Sequence, residues 1–103
     1  MEMVQNLASE HAVVIFSMSS CCMCHTIKTL FGEIGVHPAV YELDQELRGR
    51  EMQAALTELV RRRPPVPAVF IGSQFRGSNR EVMQLHITGA LIPLLREAGA
   101  IWL

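Results

Sequence analysis

The chain has 103 residues, one domain's worth, and half of them are hydrophobic, enough for a core without staples. A formal net charge of −1 excludes a nucleic-acid binder held by bulk electrostatics. No apolar run approaches the ~20 residues of a membrane span, and residues 1–11 have no basic stretch leading into an apolar one, so neither a membrane segment nor a secretory leader is expected.

Met3, Val4, Leu7 and Ala8 share one helical face and predict a short first helix. Ala12 to Phe16 is an unbroken apolar run rich in branched side chains, the pattern of a fully buried strand. Ser17 to Ser20 ends it, and a helix opens near Cys22 with Ile27, Leu30, Phe31 and Ile34 inward and Gly35 as its stop. Pro38 to Leu43 predicts a second strand. A third helix is expected from Asp44, with Met52, Ala55, Leu56 and Leu59 inward, closed by Pro64 and Pro65. Val66 to Ile71 reads as a strand, Gly72-Ser73 as a turn, and Gln74 to Arg76 as an antiparallel edge strand. Gly77-Ser78-Asn79 leads into a helix through Val82, Met83, Leu85 and His86, and Thr88-Gly89 interrupts it. Leu91, Leu94, Leu95 and Ala98 make a last amphipathic helix, with Pro93 near its start and Gly99 at its end. This order packs as an α/β fold, a single domain over residues 1–103 with one mixed sheet and helices on both faces.

All three cysteines fall within Cys21-Cys22-Met23-Cys24. A secreted disulfide framework would spread them along the chain, whereas clustered thiols point to redox or metal chemistry. Cys21 and Cys24 form a C-x-x-C pair where a strand meets a helix. The helix N–H groups and dipole there favour the Cys21 thiolate, the nucleophile of disulfide exchange, and Cys24 follows one turn on as a resolving thiol. Three cysteines in four residues cannot all face one core, which counts against inert structural thiols. With His25 the string also spells a haem-attachment motif, but the surrounding pattern is α/β. Structural zinc needs four ligands, and no second cysteine pair exists, so no metal site is expected. Cys22 is either a surface thiol without a role or a regulatory one.

Downstream, a cis bond at Pro67 would turn the Val66 backbone toward a disulfide substrate lying as an added strand, whereas a trans bond would be an ordinary strand start. Gly77-Ser78-Asn79 either offers helix N–H groups to a carboxylate or is a plain cap. Arg61-Arg62-Arg63 is a solvated helix end or a contact for substrate carboxylates.

Together these pieces resemble a glutaredoxin over nearly the whole chain. The resemblance rests on Ile15-Phe16-Ser17 before the cysteines, on Pro65-Val66-Pro67 and on Gly77-Ser78. Cys21-Cys22-Met23-Cys24 is similar to the CC-type (class III) glutaredoxins of land plants. So are the L-x-x-L-L run Leu91-Ile92-Pro93-Leu94-Leu95 and the ending Ala100-Ile101-Trp102-Leu103. What the resemblance implies is a thioredoxin fold with a mixed four-stranded sheet, and glutathione as co-substrate. It makes Cys21 the attacking thiol and Cys24 the resolving one. Val66, before the cis Pro67, would pair with the cysteinyl part of glutathione, and Gly77, Ser78, Asn79 and Arg80 would hold its γ-glutamyl end. Some family members bridge a [2Fe–2S] cluster between two protomers. The CC group further implies binding to TGA-type bZIP transcription factors and co-repressors, here through Leu91, Leu94, Leu95 and Trp102, and residence in cytoplasm and nucleus. An adaptor with little turnover is the alternative. The chain departs from the family pattern at Met18, where many members have Lys, at Pro65 for Thr, at Ser78 for Gly, and at Asn79-Arg80, where an acidic residue is usual. These departures bear on catalytic efficiency and not on the fold.

Overall fold

The apolar run after the first helix becomes the centre of the sheet. In the computed structural model, which describes residues 2–61 and 65–100, the chain forms α1 (Glu2–Ser9), β1 (Val13–Ser17), α2 (Cys22–Ile34), β2 (Ala39–Glu42) and α3 (Gly49–Val60). It continues with β3 (Ala68–Ile71), β4 (Gln74–Gly77), α4 (Asn79–Ile87) and α5 (Leu91–Glu97). The strands lie in the order β2-β1-β3-β4. β1 pairs parallel with β2, Val14 opposite Ala39, and antiparallel with β3, Phe16 opposite Ala68; β4 is antiparallel to β3.

Alternation along the two central strands divides the core. Val14, Phe16, Ala68 and Phe70 face one side and pack with Val4 and Ala8 of α1 and with Met52, Ala55 and Leu56 of α3. Val13, Ile15, Val69 and Ile71 face the other, with Ile27 and Phe31 of α2, Val82 of α4, and Leu91 and Leu95 of α5. Every residue of β1 and β3 is buried, which explains their unbroken apolar sequence. Phe16 stacks on Tyr41 at 5.5 Å and meets Phe70 edge-on at 5.7 Å. Gly35 ends α2 with φ +98°, and the Val36 N–H closes back on the Phe31 carbonyl at 2.9 Å.

Two expectations are corrected. The third helix begins at Gly49, not at Asp44. The Leu43 N–H donates to the Ser17 carbonyl at 2.8 Å, which carries the β1–β2 pairing past the end of β2. The Gln45 N–H donates to the Glu42 carbonyl at 2.9 Å in a turn. The Asp44 carboxylate, a natural helix cap, is instead engaged by the Ser19 N–H at 3.1 Å. At the start of the helix the Gly49 backbone lies against the Leu43 carbonyl oxygen, which a Cβ would overlap, so the position suits glycine.

The second correction concerns the expected partner surface on Leu91, Leu94, Leu95 and Trp102. Leu91 and Leu95, four residues apart on one helical face, are each 0% exposed within the core. Of these three leucines Leu94 alone, half-buried, reaches the surface. Trp102, with the rest of 101–103, lies outside the described residues.

Candidate active site

Three segments distant in sequence meet at one end of the sheet. β1 ends at Ser17, β3 begins at Ala68 opposite Phe16, and β4 ends at Gly77 opposite Val69. The turn to Cys21, the Val66-Pro67 pair and the start of α4 therefore leave the sheet at the same end.

The first segment is a turn in which the Cys21 N–H donates to the Met18 carbonyl at 3.0 Å. Ser19 is held from outside the turn. Its N–H donates to Asp44 Oδ1 at 3.1 Å, and its hydroxyl accepts from Gln45 Nε2 at 2.9 Å. The Ser19 backbone N–H, and then its hydroxyl, hold the Asp44 carboxyl below the usual carboxylate range.

Cys21 is the N-cap of α2, with extended backbone, and its Sγ accepts from the Cys24 N–H at 3.1 Å. Ser, Thr and Asp usually fill this position, and a sulfur there sits at the positive end of the helix. Cys21 and Cys24 are joined in a disulfide, their Cα atoms 5.3 Å apart. Helical geometry sorts the three thiols. Cys21 is half-buried at the rim, Cys24 is fully buried beneath it, and Cys22 faces solvent unbridged. His25 is an exposed helix residue.

The second segment carries the Val66–Pro67 bond, which is cis, the first of the two forms left open by the sequence. Val66 belongs to the same buried cluster as Cys24 and Phe16, and Met18 and Cys21 pack against that cluster. Val66 is 3% exposed and Pro67 is buried.

At the third segment Gly77 has φ +108°, and a Cβ there would lie 2.5 Å from Glu81 Cβ. Ser78 is the N-cap of α4 and forms a capping box with Glu81. Glu81 Oε1 accepts from the Ser78 N–H at 2.8 Å and from its hydroxyl at 3.0 Å. Asn79, half-buried, and Arg80, exposed, open the helix. The helix start expected to take a carboxylate thus already engages one, the chain's own.

Neither Glu81 nor the Asp44 carboxylate is among the site residues expected from the sequence. Glu81 has a signal, the Ser78-x-x-Glu81 spacing of a capping box. Asp44 has none, because its partner is 25 residues away and is found only once β1 and β2 pair. Arg61 is exposed at the end of α3, while Arg62, Arg63 and Pro64 lie outside the described residues.

Two clefts border this end of the molecule. One, of about 630 Å³, runs beside the Cys21 turn and is lined by Met18, Leu43, Asp44, Leu47 and Arg48 among others. The other, of about 460 Å³, lies between β4 and α4, lined by Phe75, Arg76, Arg80, Glu81, Gln84 and Leu85. Among the described residues, no group of three or more His, Cys, Asp or Glu is placed to hold a metal ion. A [2Fe–2S] cluster takes four ligands, usually thiolates. With Cys24 buried, this chain brings only Cys21 and Cys22 toward its surface, so the residues of one chain do not fit the cluster by themselves.

Residues 13–76 match the family model described as Glutaredoxin. The chain is 60% identical to Glutaredoxin-C1 of Oryza sativa subsp. japonica over 102 residues, covering 99% of both chains. It is 50% identical to Glutaredoxin-C11 of Arabidopsis thaliana over 103 residues, covering all of both. Among solved structures, the buckwheat glutaredoxin–glutathione complex superposes with a TM-score of 0.92 at 40% identity, covering 98% of this chain and 91% of that one.

Proposed function

The chain belongs to the glutaredoxin family, in its plant CC-type group, and is a glutathione-dependent thiol oxidoreductase; from that premise we propose that it reduces glutathione mixed disulfides on proteins, with Cys21 as the attacking thiol. The observation that carries this reading is the placement of Cys21 Sγ at the N-terminus of α2, accepting the Cys24 N–H, with Cys24 buried directly behind it. On reduction of the disulfide, a thiolate at that position keeps the same donor and the same helix end, both of which favour the anion.

The Cys21 thiolate attacks the glutathione sulfur of the mixed disulfide, and the client cysteine leaves as its thiolate. Cys21 is then joined to glutathione. A second glutathione thiolate attacks the glutathione sulfur of that bond, releasing glutathione disulfide and restoring the Cys21 thiolate. In the other branch Cys24, as its thiolate, attacks Cys21 Sγ and expels glutathione, leaving the Cys21–Cys24 disulfide.

In this reading Val66 aligns the cysteinyl part of glutathione beside Cys21. Gly77, Ser78, Asn79 and Arg80 receive its γ-glutamyl end. Support comes from the shared end of the sheet on which these segments lie, and from the glutathione bound by the buckwheat relative. Since Glu81 engages the Ser78 N–H, the γ-glutamyl carboxylate is left to Asn79 and Arg80.

A regulatory use of the same chemistry, on TGA-type bZIP factors and co-repressors in cytoplasm and nucleus, belongs to this proposal. Leu94 is the residue of the leucine run that supports it, since Leu91 and Leu95 are core.

The test is glutathione-coupled reduction of a glutathionylated peptide by wild type, Cys21→Ser and Cys24→Ser. Activity is expected to vanish in the first variant and persist in the second. Turnover that survives Cys21→Ser overturns the assignment, and a folded but inactive wild type favours the adaptor.

A further inference from the structure

Cys21 is not held by its own helix alone. The turn that delivers it, Met18 to Cys21, is closed by the Cys21 N–H on the Met18 carbonyl, and Ser19 within it is exposed. Two successive residues from the far end of β2 take hold of Ser19 there, Asp44 at its N–H and Gln45 at its hydroxyl. These residues are themselves anchored. The Leu43 N–H is bonded to the Ser17 carbonyl at 2.8 Å, and the Gln45 N–H to the Glu42 carbonyl at 2.9 Å. The link thus runs from the end of one strand across to the loop that leaves its neighbour.

We infer that Asp44 is a positioning residue for Cys21: by accepting the Ser19 N–H it fixes the Met18–Cys21 turn, and through it the placement of the Cys21 sulfur at the N-terminus of α2. The inference rests on Cys21 being the attacking thiol. Its chemical consequence follows from two effects of opposite sign. The negative charge of Asp44, close to the turn, disfavours a second negative charge on Cys21. The hydrogen bond from Ser19 keeps that sulfur where the Cys24 N–H and the helix end favour its charge. Misplacement by a fraction of an ångström weakens short-range N–H···S bonding more than an exposed, solvent-screened carboxylate can offset. Other ionisable groups lie near the turn. Glu46, Arg48, Arg50 and Glu51 line the same cleft as Asp44, with Arg48 bound to Glu51 at 2.6 Å. His25 and Lys28 follow on α2, with Lys28 bound to Glu42 at 2.6 Å. Of the bonds to side chains described among these groups, only that of Asp44 is made to the backbone of the turn.

The experiment separates position from charge. In a Cys22→Ser, Cys24→Ser background Cys21 is the one remaining thiol. Its alkylation by iodoacetamide is followed against pH, in the presence of Asp44→Ala, Asp44→Asn or neither. The asparagine keeps an oxygen that can accept the Ser19 N–H but carries no charge. Asp44→Ala is expected to slow alkylation at neutral pH about tenfold, through a smaller thiolate fraction, while Asp44→Asn matches or exceeds the parent. Ser19→Pro, which removes the donor at a turn position that proline suits, is expected to slow alkylation as Asp44→Ala does, and it stands in if that variant does not fold. Asp44→Ala reacting as fast as Asp44→Asn would mean that only charge matters, and equal slowing of both would mean that the accepted bond does not. Either result overturns the inference, as does an unaffected Ser19→Pro. Because alkylation uses no glutathione, an inactive wild type in the turnover assay would count against the proposed function and leave this result readable.

Discussion

Replacing Leu95 by alanine should cost far more stability than replacing Leu94, although the two are neighbours in the same apolar run. Leu95 is 0% exposed in the cluster that also holds Val13, Ile71, Val82 and Leu91. Its three lost carbons remove about 2.4 kcal/mol of burial at about 0.8 kcal/mol each, and the void adds about 1 kcal/mol at about 24 cal/mol per Å³. A loss near 3 kcal/mol lowers the melting temperature of a domain this size by about 15 °C. Leu94 is half-buried, and its truncation should cost about 1 kcal/mol, or about 5 °C. Thermal melts followed by far-UV circular dichroism compare the two directly. If they melt within about 3 °C of each other, the placement of α5 is wrong. The comparison also governs how partner binding is read. Lost binding in Leu95→Ala reports a damaged core, whereas lost binding in a folded Leu94→Ala reports a contact surface.

Two further outcomes follow from single positions. Gly77→Ala places a Cβ at φ +108° and 2.5 Å from Glu81 Cβ, so the start of α4 must shift. The left-handed backbone alone costs about 1–2 kcal/mol, and KM for glutathione should rise several-fold; an unchanged KM and melting temperature would show that this turn is not part of the site. Tyr41 is the chain's single tyrosine, so near-UV absorbance titrates it alone. Partial burial, then the Glu10 carboxylate that accepts its hydroxyl at 3.4 Å, raise its pKa above the ordinary 10.0. A raised value means the folded state favours the neutral phenol. That contribution is fully present below pH 10.0 and is lost as pH rises through the folded value, so stability should fall in strong alkali and fall less in Tyr41→Phe. A titration midpoint at or below 10.0 would refute the packing of Tyr41 beside Glu10.

Much of this was legible in the sequence, and the misses share one cause. Branched residues in Val13-Val14-Ile15 identify β1 because burial on both faces leaves a composition that does not depend on where its partners lie. The C-x-x-C pair is legible because strand, break and helix are all local signals. Asp44 was misread as a helix start because its local pattern suits a cap and its actual partner, Ser19, comes from another strand's loop. Which leucines of the run are core and which is exposed is not legible in the motif, because a motif records which residues are present and not which way a helix turns them. Leu91 and Leu95 face the sheet because α5 has to cover Val13 and Ile71. The form of the Val66–Pro67 bond could not be decided locally, since both isomers suit the start of a strand.

The end of the sheet on which the site stands has one more consequence. Both thiols of the redox pair come with β1 and α2, whereas Pro67 and Gly77 flank the β3–β4 hairpin. A local shift of the Pro67 or Gly77 turns would leave Cys21 and Cys24 able to pass between dithiol and disulfide by exchange with an outside thiol–disulfide couple, while dismantling the proposed seat for the tripeptide. The redox pair and the proposed glutathione seat are therefore carried by different segments of one small chain. Disturbing those turns alone would produce a protein that still takes part in disulfide exchange and no longer favours glutathione over other thiols.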